Sequence, residues 1–160
     1  MTGKELERYC EKLLAPTGGY WHRNEPKMQG RIRVSGGTAD YTLILDGTAH
    51  YIECKAIASR GAFPLGSLTM PENGAKPGPG ITPTQAAALD HLERSGGRGW
   101  VLAALGDYEP VRVPWRVWRG WLASGLRSVP PLMLIAARAN GWSDPGATSP
   151  ASSPCAAAAA

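Results

Sequence analysis

Very little in this sequence can cross-link it. The three cysteines, Cys10, Cys54 and Cys155, are widely spaced, with no CxxC pair and no Cys/His cluster. Neither a disulfide framework nor a structural zinc site is expected, and a reducing compartment is the default. Long apolar runs are also missing. Residues 1–14 are charged and lack a signal-peptide core, and no stretch is long enough to span a bilayer. The expected protein is soluble and cytoplasmic, with no membrane partner. No glycine-rich phosphate loop is present, so no nucleotide cofactor is expected. His22, His50 and His91 are isolated from one another and read as structural or surface residues. No internal repeat is visible.

Acids are absent from residues 111–143, which carry Arg112, Arg116, Arg119, Arg127 and Arg138. An earlier stretch holds Arg23, Lys27, Arg31 and Arg33 against Glu25 alone. The net charge of +4 decides little, whereas this clustering points to phosphate. Tyr20 and Trp21 lead into the first block, and Trp115, Trp118 and Trp121 lie within the second. Basic segments with interleaved aromatics suit nucleic-acid binding. A solvated arginine face over a Trp-filled core is the simpler account of the tryptophans. His22, beside Arg23, is a further candidate contact.

At 160 residues, 43% of them hydrophobic, the chain suits one globular domain. Thr2-Gly3-Lys4-Glu5 has the form of a capping box, with Leu6, Tyr9, Cys10, Leu13 and Leu14 on one helical stripe. Pro16 and Gly18-Gly19 stop this helix. Residues 20–24 suit a short strand. Residues 38–45 and 48–56 read as two strands joined by a two-residue turn at Asp46-Gly47. Residues 57–81, rich in Gly and Pro, predict an irregular loop of functional length. Thr82-Pro83-Thr84-Gln85 is a second capping box, and Ala86, Leu89 and Leu92 form the buried stripe of its helix up to Gly96-Gly97. Residues 99–105 read as a buried strand and 111–113 as an edge strand. Pro114 then starts a short helix carrying Trp115, Trp118 and Leu122. Residues 132–137 fit no single state. From 144 onward the chain is Pro, Ser, Gly and Ala, which predicts a domain over 1–143 and a disordered tail over 144–160. The order of elements predicts an α/β (α+β) fold, a mixed sheet flanked by helices.

The hairpin concentrates the chemistry. A turn centred on Asp46-Gly47 pairs positions that sum to 93, which sets Asp40 opposite Glu53. Lys55, two residues on, leaves the same face, while Cys54 turns toward the core and leaves its carbonyl as a further oxygen ligand. Like charges directly opposite destabilise a strand pair, so a compensating cation is expected beside them. Phosphodiester hydrolysis by a hard metal ion needs such oxygen ligands, an activated water and a nearby cation. A surface hairpin with a salt-bridged acidic pair is the alternative on these residues alone.

Gly37-Thr38-Ala39-Asp40-Tyr41 followed by Tyr51-Ile52-Glu53-Cys54-Lys55-Ala56 resembles the PD-(D/E)xK nuclease core, with Ala39 in place of the Pro. Phe63-Pro64-Leu65, Thr84-Gln85 and the 89–97 stretch look like the Holliday-junction resolvases of the RecU type; the related archaeal Hjc enzymes share the core. The resemblance covers roughly residues 3–118. It implies Mg2+ (with Mn2+ substituting) held by Asp40, Glu53 and the Cys54 carbonyl, and Lys55 positioning or activating water. Thr38 would support Asp40 or the phosphate. Gln85 would serve the site, the cap, or both. Gly3-Lys4-Glu5-Leu6-Glu7 is similar to the G-x-x-x-E of the family's first helix, which makes Glu7 the candidate acid and leaves Glu5 as the cap. The implied protein is a homodimer that cuts four-way DNA junctions, at the nucleoid or, for a phage-encoded chain, in the host cell. Arg23, Lys27, Arg31, Arg33, Arg60 and Lys76 are the expected DNA contacts, the last two from the 57–80 segment. A VRR-type or restriction-like repair nuclease acting on flaps or duplex, and a non-catalytic DNA-binding protein on the same fold, are the alternatives.

Overall fold

Thr2 starts the first helix in the way its capping box predicts. Its hydroxyl accepts from the Glu5 backbone N–H at 3.3 Å, and the Glu5 carboxylate accepts from the Thr2 N–H at 2.6 Å. The computed structural model describes residues 1–24, 28–29, 32–33, 39–58, 61–71 and 78–143. In chain order they form α1 (Gly3–Leu14), a short 3-10 turn (Ala15–Thr17), β1 (Tyr20–Arg23), β2 (Met28–Gln29), β3 (Ile32–Arg33), β4 (Tyr41–Leu45) and β5 (Thr48–Ile57). Then follow β6 (Phe63–Pro64), α2 (Pro83–Arg94), β7 (Arg98–Leu105), β8 (Val111–Pro114), α3 (Trp115–Ala123), β9 (Ser128–Val129) and α4 (Pro131–Ala136).

The main sheet has five strands in the order β1-β4-β5-β7-β8. β5 and β7 run parallel and the other neighbours antiparallel. A parallel pair needs a crossover, and α2 supplies it. This is the mixed sheet flanked by helices that the order of elements predicts. β7 is apolar along nearly its whole length because it is buried on both faces. On one face Leu102 and Ala104 meet Leu6, Cys10 and Leu14 of α1, together with Tyr41, Leu43 and Ile52. On the other, Val101, Ala103 and Leu105 meet Ala86 and Leu89 of α2 and Trp115 and Trp118 of α3. Gly99 is required there, since a Cβ would lie 2.7 Å from that of Trp115. No helix among the described residues is long and apolar enough to cross a membrane.

The tryptophans are core residues. Trp115 and Trp118 are fully buried, while Arg116 and Arg119 between and after them are exposed. The arginine block is less free than its local sequence suggests, because acids reach it from elsewhere in the chain. Arg119 pairs with Asp90 of α2 at 2.8 Å, and Arg138 pairs with Glu109 at 3.2 Å. Arg112 lies over the Trp142 ring, 4.0 Å from its centroid, and donates to the Ala139 and Gly141 carbonyls.

Within the 57–81 stretch, the described residues 61–71 and 78–81 hold more structure than its composition predicts. Phe63 and Leu65 are buried, β6 pairs with β9, and Gly66 bridges to Ile81. Gly66, at φ 101°, packs so tightly on the Ile81 backbone that no Cβ would fit. Leu65 accepts from the Ile81 N–H and Ser67 donates to the Ile81 carbonyl, both at 3.0 Å. This clamp fixes the residue just before the Thr82 cap, and so seats the start of α2. Residues 132–137, assigned no state from sequence, lie mostly in α4, started by Pro131 and anchored by buried Leu134.

Trp118 ties these parts together. Its indole N–H donates to the Leu65 carbonyl at 3.1 Å and its ring meets Phe63 edge-on. Trp118→Ala should cost about 3–5 kcal/mol of stability, read as a lower urea midpoint at unchanged m-value. A loss under about 1 kcal/mol would contradict this packing.

Candidate active site

Asp46 and Gly47 both take left-handed backbone angles, φ 49° and 74°, as a two-residue type I′ turn requires. The register follows: Leu45 faces Thr48 and Tyr41 faces Ile52, so each pair sums to 93 as expected. One step further, Asp40 stands opposite Glu53. Asp40 lies just before β4, held on two sides. Its backbone carbonyl accepts from the Asn24 N–H at 2.8 Å, and its Oδ2 accepts from the Cys54 N–H at 2.8 Å. Cys54 itself packs toward the α1 layer, away from the carboxylates.

Glu53 is almost fully buried, with 2% of its surface exposed. Lys55 Nζ lies 2.9 Å from its Oε1. Gln85 Nε2 donates to the same oxygen. The other end of that amide caps α2, Gln85 Oε1 accepting from the Thr82 N–H at 2.9 Å. One residue thus serves cap and site with separate atoms. Burial, and then the negative charge of Asp40, push the Glu53 carboxyl up to about 7, against the pull of Lys55.

The donor set suits a hard divalent cation. Among the described residues no third His, Cys, Asp or Glu joins Asp40 and Glu53. A magnesium ion needs no more, since it binds through one or two carboxylates and keeps several waters. Two carboxylates on one face, one of them buried, also form a local excess of negative charge, which Lys55 offsets. Glu7 does not join this cluster by any hydrogen bond or ion pair among the described residues. It pairs instead with Arg23 at 2.7 Å. Thr38, Lys27, Arg31, Arg60 and Lys76 lie outside the described residues, as does the side chain of Arg33. Asn24, not singled out from sequence, holds the site's backbone: its Nδ2 donates to the Ala39 carbonyl at 2.6 Å and to Thr42 Oγ1 at 3.0 Å. His50 is structural. Trp100 Nε1 donates to its Nδ1 at 3.0 Å, so the ring is neutral with its proton on Nε2.

No protein-family model matches the chain, and no curated protein matches it. Among solved structures it is similar to Hjc from Archaeoglobus fulgidus, a Holliday junction resolvase from an archaeal hyperthermophile. The TM-score is 0.46 at 17% identity, over 71% of this chain and 78% of that one.

Two buried groups should oppose each other in acid. Burial, with Arg98 and Arg112 nearby, lowers His50 from 6.5 to about 4, so its contribution to stability is full above 6.5 and is lost as pH falls toward 4. Glu53 is raised from 4.5 to about 7, so its contribution is present at low pH and is lost as pH rises through that window. Unfolding of the metal-free protein should therefore depend weakly on pH between about 4.5 and 6.5. Glu53→Gln should expose the His50 slope, with stability falling as pH is lowered. An equally flat profile in Glu53→Gln would contradict the assignment.

Proposed function

We propose that this protein is a metal-dependent endonuclease that hydrolyses phosphodiester bonds in DNA, acting on four-way junctions as a homodimer. The observation that carries the nuclease reading is the meeting of Asp40, buried Glu53 and Lys55 at one point of the sheet. An acidic pair kept for salt bridging alone would gain little from burying one member, because desolvation opposes the ion pair.

Asp40 and Glu53 would hold Mg2+ or Mn2+, with the Cys54 carbonyl and water completing the set. The bound ion supplies Lewis-acid polarisation of the phosphoryl oxygen and a more acidic water. Lys55, held by Glu53, places a positive charge where the attacking water and the developing phosphorane charge would lie. Gln85 fixes the Glu53 carboxylate, and the Cys54 N–H fixes Asp40. Thr38 would support Asp40 or the phosphate. Glu7 would act through Arg23, orienting one phosphate-binding guanidinium, with Lys27, Arg31, Arg33, Arg60 and Lys76 as further contacts. A four-way junction presents two symmetric scissile phosphates, which suits a two-fold dimer with one site per subunit.

Cleavage of a junction, a flap and a linear duplex, with and without magnesium, tests this reading. The junction should be cut by paired nicks on opposing strands, and calcium should support binding without turnover. Asp40→Asn should abolish cleavage and leave binding nearly intact, because Asn keeps an oxygen for the Cys54 N–H while losing the charge. Lys55→Met should lower kcat about 10²–10³-fold. Robust magnesium-dependent cleavage by Asp40→Asn would sink the assignment. Equal cutting of flap or duplex would leave a nuclease without junction selectivity.

A further inference from the structure

Beside the carboxylates, no described helix covers the part of their sheet face formed by β1 and β4. α2 and α3 pack over β5, β7 and β8, while Ile44 on β4 is 45% exposed and Tyr20 on edge strand β1 is 67% exposed. We propose that Tyr20 and His22 form a stacking platform for an unpaired DNA base a few nucleotides along the strand from the phosphate to be cut. The choice of ligand rests on the nuclease reading above.

Register places the platform. β1 pairs with β4 so that Tyr20 faces Ile44 and His22 faces Thr42. The next step sets Asn24 opposite Asp40, where their backbones are hydrogen-bonded. Tyr20, His22 and Asn24 therefore share a face with Ile44, Thr42 and Asp40. Trp21, between the two aromatics, turns to the opposite face and packs against Tyr41, with 6.4 Å between ring centroids. At about 3.3 Å per residue, His22 lies level with a point about 7 Å along the strand from Asp40, and Tyr20 about 13 Å. That reach is about two to four base steps of a stacked strand.

The chemistry of the strip suits a base. The Tyr20 and His22 rings stand 5.8 Å apart at 49°, both exposed, as neighbouring surfaces that one flat ring could lie against. Apart from Asp40 the strip carries no acid to repel a phosphate backbone. Stacking on an aromatic ring tolerates any base, since each has a π-face. Duplex bases already stack on one another, so the platform distinguishes unpaired nucleotides, such as those at a frayed branch point, from continuous duplex.

Binding of a single strand and of a duplex of equal length, each carrying 2-aminopurine, tests the platform in the full-length protein with calcium present. Tyr20→Ala should weaken single-strand binding roughly ten-fold and remove the quenching of 2-aminopurine, with duplex affinity unchanged. Tyr20→Phe, which keeps the ring, should behave as wild type. Tyr20 is exposed, and thermal melting checks that the variants fold. Equal single-strand affinity in Tyr20→Ala and wild type would overturn the proposal. So would a dimer that dissociates on Tyr20→Ala in sedimentation, because the face would then join two copies of the chain. Magnesium-dependent cleavage of a four-way junction separates the two readings. Cleavage with no dependence of binding on Tyr20 overturns the platform alone, and Tyr20-dependent stacking without cleavage by wild type overturns the nuclease alone.

Discussion

Successive residues of a β-strand point to opposite faces, so a hairpin's turn decides what every side chain in it can touch. Here the turn is two residues long and left-handed at both, which leaves one register. A slip of one position would send Glu53 and Lys55 into the α1 layer, among Leu6, Cys10 and Leu14, and would bring Cys54 out beside Asp40. The apolar side chains enforce the same register, since Tyr41, Leu43 and Ile52 must reach that layer. Core packing and site geometry are thus two results of one constraint.

The buried Glu53 is the costly part of this arrangement. Its carboxylate meets three neighbours: Lys55 on its own strand, Gln85 on α2, and Asp40 opposite. Two of these stabilise charge and one opposes it. Gln85 reaches its place only because Thr82 begins α2 where it does, and Thr82 follows an Ile81 clamped by Leu65, Gly66 and Ser67. The Phe63–Leu65 segment, itself held by Trp118, therefore acts on the site through the helix start.

What could be read from the sequence was what local signals encode. Both capping boxes, the turn, the apolar run of β7 and the Trp-bearing helix lie within a few residues of their causes, and the Asp40–Glu53 pairing followed from the turn by counting. Asn24 was not legible, because a long, turn-prone basic stretch joins β1 to β4 and its length leaves their register open to sequence reading. α4 has too few residues to display a period, and β6 is shorter still. The second arginine block looked unopposed because its acids, Asp90 and Glu109, come from outside it. Gln85 carried two signals at once, cap and site, and no sequence argument could divide them; the amide divides them by atom.

The position of the site at a boundary also follows from connectivity. Joining parallel β5 to β7 requires a crossover, so α2 must lie over these two strands, and α3 follows it over β7 and β8. β1, β4 and β5 are antiparallel neighbours, and no helix among the described residues packs on that face of β1 and β4. Asp40, on the open side, and Glu53, on the covered side, meet where the helical layer ends. One carboxylate is therefore buried and tightly partnered while the other faces an uncovered strip of sheet. For the proposed nuclease, that boundary would combine a firmly buried carboxylate with access for a DNA strand.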